Sequence, residues 1–498
     1  MSSALFTSSP RALRGSTDAV FRGSIATICL LALALRIVCS NGPVWNDEIW
    51  SLENLLPLRH FWQVLWGISH DNNHFLNSLW LFFAAPLNDN PTWLRLPSIV
   101  SGAAVVPAMA YLGARHSKSA ALFAAALTGG SYFQITYSDQ ARGYASATLA
   151  LVVAFAALER ALDQPRGRAR WVLAAAAGLG FFSHLAMAPA MAALGAAGFA
   201  ETLRRRRNLL ESLAATTRLF WPAALAMIPT LGFVAAGYRL QGGFTIGHLV
   251  PYAASHAIGA MANLELVTFG LAPTSTVQVA FALFVMPPLI LVAIAFQALA
   301  ERRIVYCAFF LLLPAAVLVA RLPNTHMARY FFAASPFLLL LAAESLGGLW
   351  NGGGWRRTAA VAALVASLTG DTVAIAQTLA GTQSPWTDAL TAIVESGDRT
   401  LASSYDFNIG KNVRYFNRMR DARLDLVPAE QICARKPAWY IVQMSGDVAA
   451  DPALVLGADP CQLSYDLAGV YNRVPDQLPW ALYRLKGEAP AAESTRRP

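Results

Sequence analysis

Charge is scarce in this chain. Only 13% of its 498 residues are Asp, Glu, Lys or Arg, where an ordinary soluble domain carries about 25%. With 56% hydrophobic residues and a mean hydropathy of +0.43, the composition excludes a water-soluble globular protein and points to a multi-pass membrane protein. Cysteine is sparse as well. Its five residues show no CxxC pair and no Cys/His ligand spacing, which excludes a zinc ribbon or a dithiol redox motif. A small-residue cleavage signature after the first apolar run is missing, so that run reads as an uncleaved helix. Gly352-Gly353-Gly354 has no Lys-Ser/Thr after it and is a turn rather than a phosphate loop.

Basic residues exceed acidic ones, giving a net charge of +9. They sit in short clusters between apolar runs, as topogenic signals do, and this argues against nucleic acid as a partner. Residues 1–22 form a basic N-terminus (Arg11, Arg14, Arg22), and an apolar run to about Cys39 follows, with Arg36 near its end expected to snorkel to the interface. Further apolar runs near 97–113, 119–135 and 144–158 are each long enough for a bilayer of about 30 Å. Starting inside, basic clusters fall at Arg115–Lys118, Arg160–Arg170, Arg204–Arg207, Arg302–Arg303 and Arg356–Arg357. Counting crossings between them gives about eleven spans, a cytoplasmic N-terminus and a C-terminus outside. Residues 74–87 are short for a span, and treating them as an interfacial helix keeps the parity. Arg204–Arg207 reads as a strong topology signal, with anionic lipid as its second reading.

The membrane domain is thus expected over 23–380. From 381 the composition changes: Leu401–Ser404, Trp439–Val442 and Ala481–Leu485 read as strands and Pro385–Glu395 as a helix. We expect a small soluble α/β domain over 381–487, outside the membrane, and a disordered tail over 488–498. Cys433 and Cys461 both fall in that domain, where they either pair or stay as two thiols. Glu344 and Asp371 are acids in apolar surroundings, expected near helix ends.

This topology gathers most of the suggestive polar residues on the outer face. They are Asp47 and Glu48 in Trp45–Trp50, Asp71 and His74, Asp139, Arg142 and Tyr144, His184, His248 and His256, then His326, Arg329 and Tyr330. Each alone has a plain explanation as a loop histidine or an interfacial arginine. Together, acids and arginines on one membrane face suit group transfer from a phosphate-linked donor. A leaving phosphate needs cations, and Arg142 and Arg329 offer planar bidentate forks for it. An attacking hydroxyl must lose a proton, for which Asp47 is the natural base. Neighbours in sequence point apart, so Glu48 is expected to orient a group or bind a metal rather than serve as a second carboxylate beside the first.

The order of these segments resembles the GT-C membrane glycosyltransferases. The segments are the Asp47-Glu48 loop, His70-Asp71-Asn72-Asn73-His74-Phe75-Leu76, Leu94-Arg95-Leu96-Pro97-Ser98, Tyr137-Ser138-Asp139-Gln140-Ala141-Arg142-Gly143-Tyr144, and Arg329-Tyr330 through Pro336. The nearest branch holds the protein O-mannosyltransferases and the lipid A aminoarabinose transferases (ArnT-like), and the likeness runs over about the first 350 residues. It implies an all-α polytopic membrane domain and a polyprenyl-phosphate (undecaprenyl phosphate) sugar donor. It also implies an extracytoplasmic acceptor lipid, glycan or protein and inversion at the anomeric carbon; the Ala/Arg-rich composition points to a bacterial protein, and so to the periplasmic face of an inner membrane. Asp47 and Glu48 would form the catalytic pair, Asp47 as the base and Glu48 orienting a group or binding a metal, and Arg142, Arg329, Tyr144 and Tyr330 would hold the donor phosphate. Asp71, His74, His248, His256 and His326 would serve substrate or metal, a divalent ion being the one cofactor considered. No Asp-x-Asp lies in a segment assigned to the cytoplasm, which fits a lipid-linked rather than a nucleotide-linked donor. The competing reading is a lipid-binding protein, transporter or flippase of lipid-linked sugar that transfers nothing.

Overall fold

The computed structural model describes residues 10–164, 167–245, 251–271, 284, 286–296, 300–321, 325, 327–380, 384–444, 450–457, 461–471 and 480–487. Two compact units divide the chain: Met1–Asn41 with Asn54–Ala376, and Gly42–Glu53 with Gln377–Pro498. The short acidic segment after the first helix therefore belongs with the C-terminal unit.

The first unit is built from helices. Among the described residues, seven helices are long and apolar enough to cross a membrane, including Leu96–Ala114, Tyr144–Asp163, Leu209–Leu240 and Ala328–Asn351. Other stretches that the charge pattern counts as crossings form shorter or more polar helices, such as Lys118–Gly130, Ala169–Ser183 and Met187–Arg206, which are not among these seven. Phe75–Ala84 has ten residues, about 15 Å at 1.5 Å per residue, half of the hydrocarbon thickness. It is too short to span, as an interfacial helix would be. Its start is set by the loop before it, whose His74 occupies the N-cap position.

Three charged side chains behave differently from the sequence expectation. Arg36 does not snorkel outward. It is fully buried, and its guanidinium donates to the carbonyls of Thr128 (3.3 Å) and Gly129 (3.2 Å) and to Ser138 Oγ (3.3 Å). The last carbonyls of a helix have no partner within it, so the end of Lys118–Gly130 offers acceptors that water would otherwise have to supply. Glu344 lies inside the Ser335–Asn351 helix rather than at its end, and it takes bonds from Arg302 Nη1 and from the Tyr306 hydroxyl at 2.8 Å. Arg302 reaches Glu159 at 2.6 Å and the Leu112 carbonyl at 3.0 Å, so one buried guanidinium ties four helices together. Asp371 is likewise internal to Trp355–Ala380, and its carboxylate accepts the Tyr132 backbone N–H at 2.8 Å.

The second unit holds a six-stranded mixed sheet, β1 (Thr400–Ser403), β2 (Asp425–Leu426), β3 (Trp439–Gln443), β4 (Ala453–Leu456), β5 (Leu463–Tyr471) and β6 (Trp480–Leu485), in the order β2-β1-β3-β6-β5-β4. β1 runs parallel to β2 and β3, with the helix Asp406–Arg420 as the crossover from β1 to β2; the remaining pairs are antiparallel. Apolar alternation sets the register. Ala402, Val427, Tyr440, Tyr465 and Tyr483 fill one buried cluster. Cys433 and Cys461 form a disulfide, resolving the two readings of that pair. β1, β3, β6 and the Pro385–Glu395 helix lie where the sequence pattern set them, whereas β2, β4 and β5 were not among the expected strands.

Candidate functional site

Asp47 and Glu48 open the helix Asn46–Leu55. Carboxylates suit a first turn, where unpaired N–H groups leave positive potential. Glu48 is 1% exposed, and its Oε2 accepts the Trp45 backbone N–H at 2.6 Å. That is half of a capping box, with the third helical residue reaching back to the residue before the helix. Glu48 thus closes the turn from which the partly exposed Asp47 projects.

The C-terminal domain grips this helix along one face. Asn408 Oδ1 accepts both the Trp50 indole N–H (2.7 Å) and the Asn46 amide (3.0 Å), while its own amide donates to Gln443 Oε1 at 2.7 Å. Lys411 lies 4.3 Å from the centre of the Trp50 ring and 4.7 Å from that of Phe407, a cation–π arrangement strengthened by burial. Arg414 and Arg418 reach Glu53 at 3.2 and 2.7 Å.

A second polar cluster forms within the membrane unit. The loop before Phe75–Ala84 is pinned by an isolated bridge to Thr245, which donates its N–H to the Ser69 carbonyl (2.9 Å) and accepts that of Asp71 (3.0 Å). From this loop Asn72 Oδ1 and His74 Nε2 accept hydrogen bonds from Arg142 at 3.0 and 3.3 Å. The Arg142 guanidinium stands 4.9 Å from the Tyr144 ring centre. Its carbonyl accepts from Ser98 Oγ at 3.0 Å, and Asn77 holds that hydroxyl at 3.0 Å. Arg142 is 7% exposed and His74 4%, so the cation is fixed in a nearly dry setting where its field is weakly screened.

His184 completes the group. Its ring centroid lies 4.6 Å from that of His74 and 4.3 Å from that of Tyr144. This approach depends on Gly143, because a Cβ there would come within 1.8 Å of the Ser183 carbonyl oxygen. The Ala186 N–H donates to His184 Nδ1 at 3.1 Å. The ring hydrogen therefore belongs on Nε2, which is buried without a hydrogen-bond partner among the described residues. Burial, and then the guanidinium groups of Arg142 and Arg329, lower the His184 pKa to about 3. Burial first, then His184, Arg142, Arg329 and His70, press His74 well below the usual imidazole range. Both rings are neutral donors or acceptors at physiological pH.

Of the residues singled out from sequence, Arg142, Tyr144 and His74 come together, and Arg329 is close enough to act on both histidines. Arg329 also lies 5.6 Å from the centre of the partly buried Tyr330 ring. Asp71 is 42% exposed beside His70. His256 is exposed in the first turn of Ala254–Thr268, while His248 and His326 lie outside the described residues. No three His, Cys, Asp or Glu side chains converge on a metal position among the described residues. Asn72, Ser98 and His184 were not assigned roles from sequence. Asn72 and Ser98 stand inside the segments quoted above, and His184 had only its place on the outer face.

No protein family model matches this sequence, and no curated protein matches it. Solved structures do. The crystal structure of ArnT from Cupriavidus metallidurans bound to undecaprenyl phosphate matches with a TM-score of 0.53 and 12% identity, covering 92% of this chain and 98% of its own. The apo state of the same protein matches with a TM-score of 0.47 and 13% identity, over 85% and 93%. The chain has an ArnT-like GT-C fold.

Proposed function

We propose that this chain, built on the ArnT-like GT-C fold, is an integral membrane glycosyltransferase. It moves a sugar from a polyprenyl phosphate to an acceptor on the extracytoplasmic face. The observation that carries the reading is the Arg142 guanidinium, held by Asn72 and His74 against Tyr144, with His184 Nε2 and Arg329 beside it. Cations and neutral N–H donors gathered in a dry cluster suit a phosphate whose charge grows as the sugar leaves. The fold neighbour's bound undecaprenyl phosphate is consistent with a ligand of this class.

In this reading the acceptor oxygen attacks the anomeric carbon from the face opposite the phosphate. The carbon–oxygen bond to phosphate breaks, its electron pair leaves with the polyprenyl phosphate, and the configuration inverts. Asp47 takes the proton of a hydroxyl acceptor, and Glu48 holds the turn that carries it. Should the acceptor attack through a phosphate, no base is required and Asp47 orients it instead. The membrane domain spans 23–380 and the α/β domain 381–487 lies in the bacterial periplasm, where a Cys433–Cys461 disulfide is at home.

The test is transfer by the full-length protein in nanodiscs from a panel of radiolabelled polyprenyl-phosphate sugars to cell-envelope acceptors. Label appearing in an envelope component identifies sugar and acceptor. A folded protein that binds polyprenyl phosphate but transfers nothing from any donor is a lipid-binding protein or transporter.

A further inference from the structure

The far end of the helical unit holds a feature that sugar transfer does not use. Between the ends of Tyr144–Asp163 and Met187–Arg206, the first turn of Ala169–Ser183 and the second and third turns of Leu209–Leu240 lies a cavity of about 770 Å³, within the size range of small-molecule sites, roughly 300–1,000 Å³. Its polar lining is Gln164, Arg170, Thr202, Arg205, Arg206 and Arg218, and among the described residues no carboxylate lines it. Four arginines around one hollow repel each other unless an anion sits among them.

Their present partners are unequal. Arg205 is paired with Glu201 and lies 3.3 Å from Asp163, and Arg206 lies 3.8 Å from Glu211. Arg170 and Arg218 make no ion pair among the described residues, and Arg170 Nε is buried without a hydrogen-bond partner. A buried guanidinium nitrogen left unpaired is costly, and a ligand oxygen would satisfy it.

The surroundings identify the kind of anion. The Arg170 guanidinium stands 5.2 Å from the Trp171 ring centre, and Trp171 meets Trp221 edge to face at 5.8 Å. Both indoles are exposed, as are Leu209, Leu210 and Leu213 where the Leu209–Leu240 helix begins. An exposed tryptophan beside an arginine in the first turn of an apolar helix, as Trp171 is beside Arg170, marks the level of lipid headgroups. We propose that this cavity binds a phosphate-bearing anion, and that the phosphate belongs to an anionic phospholipid of the leaflet on the arginine-rich side. Arg170 and Arg218 grasp the phosphate, while the acyl chains run along the exposed Leu225, Ile228 and Leu231 further along the Leu209–Leu240 helix.

The experiment uses full-length protein in nanodiscs of mixed phosphatidylglycerol and phosphatidylethanolamine, with retained lipids counted by native mass spectrometry. A second arm titrates inorganic phosphate by calorimetry in neutral detergent. Variants are Arg170→Gln, Arg218→Gln and the pair, with Arg356→Gln as a basic residue of the same membrane side outside the cavity. Arg218 is exposed and makes no ion pair among the described residues, so its loss leaves the fold intact. Phosphatidylglycerol is expected to be retained over phosphatidylethanolamine by about tenfold, with the preference lost in the pair and kept in Arg356→Gln. Inorganic phosphate binding that needs the same two arginines, without lipid preference, reassigns the cavity to a soluble anion and overturns the lipid source. Lipid retention and phosphate binding both unchanged by the pair, or lost equally in Arg356→Gln, overturns the site.

Discussion

The indole N–H of Trp50 donates to Asn408 Oδ1 at 2.7 Å across 358 residues of sequence. Three residues before Trp50 stands Asp47, so the C-terminal domain holds the helix that begins with the acidic pair. Asn408→Ala leaves the Trp50 and Asn46 donors and the Gln443 acceptor without this partner, at a cost of roughly 1–3 kcal/mol for each buried group left unsatisfied. In the proposed reaction Asn408→Ala is expected to lower kcat at least severalfold while donor Kd stays constant. Equilibrium donor binding beside initial rates checks this. A kcat equal to wild type would show that the contact only fastens the domain.

Gly143 sits where a Cβ would meet the Ser183 carbonyl at 1.8 Å. Its φ of −75° suits any residue, so the demand is for space rather than conformational freedom. Gly143→Ala is expected to push the Ser183–His184 turn from Tyr144, costing about 1–3 kcal/mol by overpacking. Thermal unfolding in detergent measures the loss, and weaker polyprenyl phosphate binding should accompany it. An unchanged midpoint would mean that the turn moves aside freely.

His184 carries a pH signature. Its folded-state pKa is lowered to about 3, against roughly 6.5 for an unfolded histidine. Between these values the unfolded chain binds a proton that the folded chain does not, so stability falls as pH drops from about 6.5 toward 3. Lowered in the same direction, His74 adds to the slope. Above about pH 6.5 the contribution is constant. His184→Asn should flatten the fall in melting temperature between pH 7.5 and 5, and an identical slope in wild type and variant would contradict the buried neutral ring.

Arg142, Tyr144 and His74 were legible because charge and imidazole stand out in an apolar chain, and their order along it carries more information than any one of them. His184 was legible only as a lone histidine after a helix; its place beside Tyr144 depends on the Gly143–Ser183 approach, which no local pattern encodes. Arg36 was misread for a related reason. Its position near a helix end suggests snorkelling, but the acceptors that hold it inside are carbonyls of another helix, more than ninety residues away. Asn408 belongs to no motif, and nothing near it in sequence points to Trp50. β1, β3 and β6 of the C-terminal domain were visible from their apolar and aromatic runs, whereas β2, β4, β5 and the order β2-β1-β3-β6-β5-β4 were not.

The most direct measurement compares polyprenyl-phosphate sugar binding and sugar transfer in one nanodisc preparation for wild type, Asp47→Asn and Arg142→Ala. Asp47→Asn should bind donor as wild type does and transfer to a hydroxyl acceptor at least about 100-fold more slowly, the usual scale for losing a general base. Arg142→Ala should lose donor affinity by roughly 10–100-fold, the worth of a charge-assisted phosphate contact, and transfer should fall with it. Donor binding that survives Arg142→Ala unchanged would contradict the assignment of the Arg142 cluster to the donor phosphate.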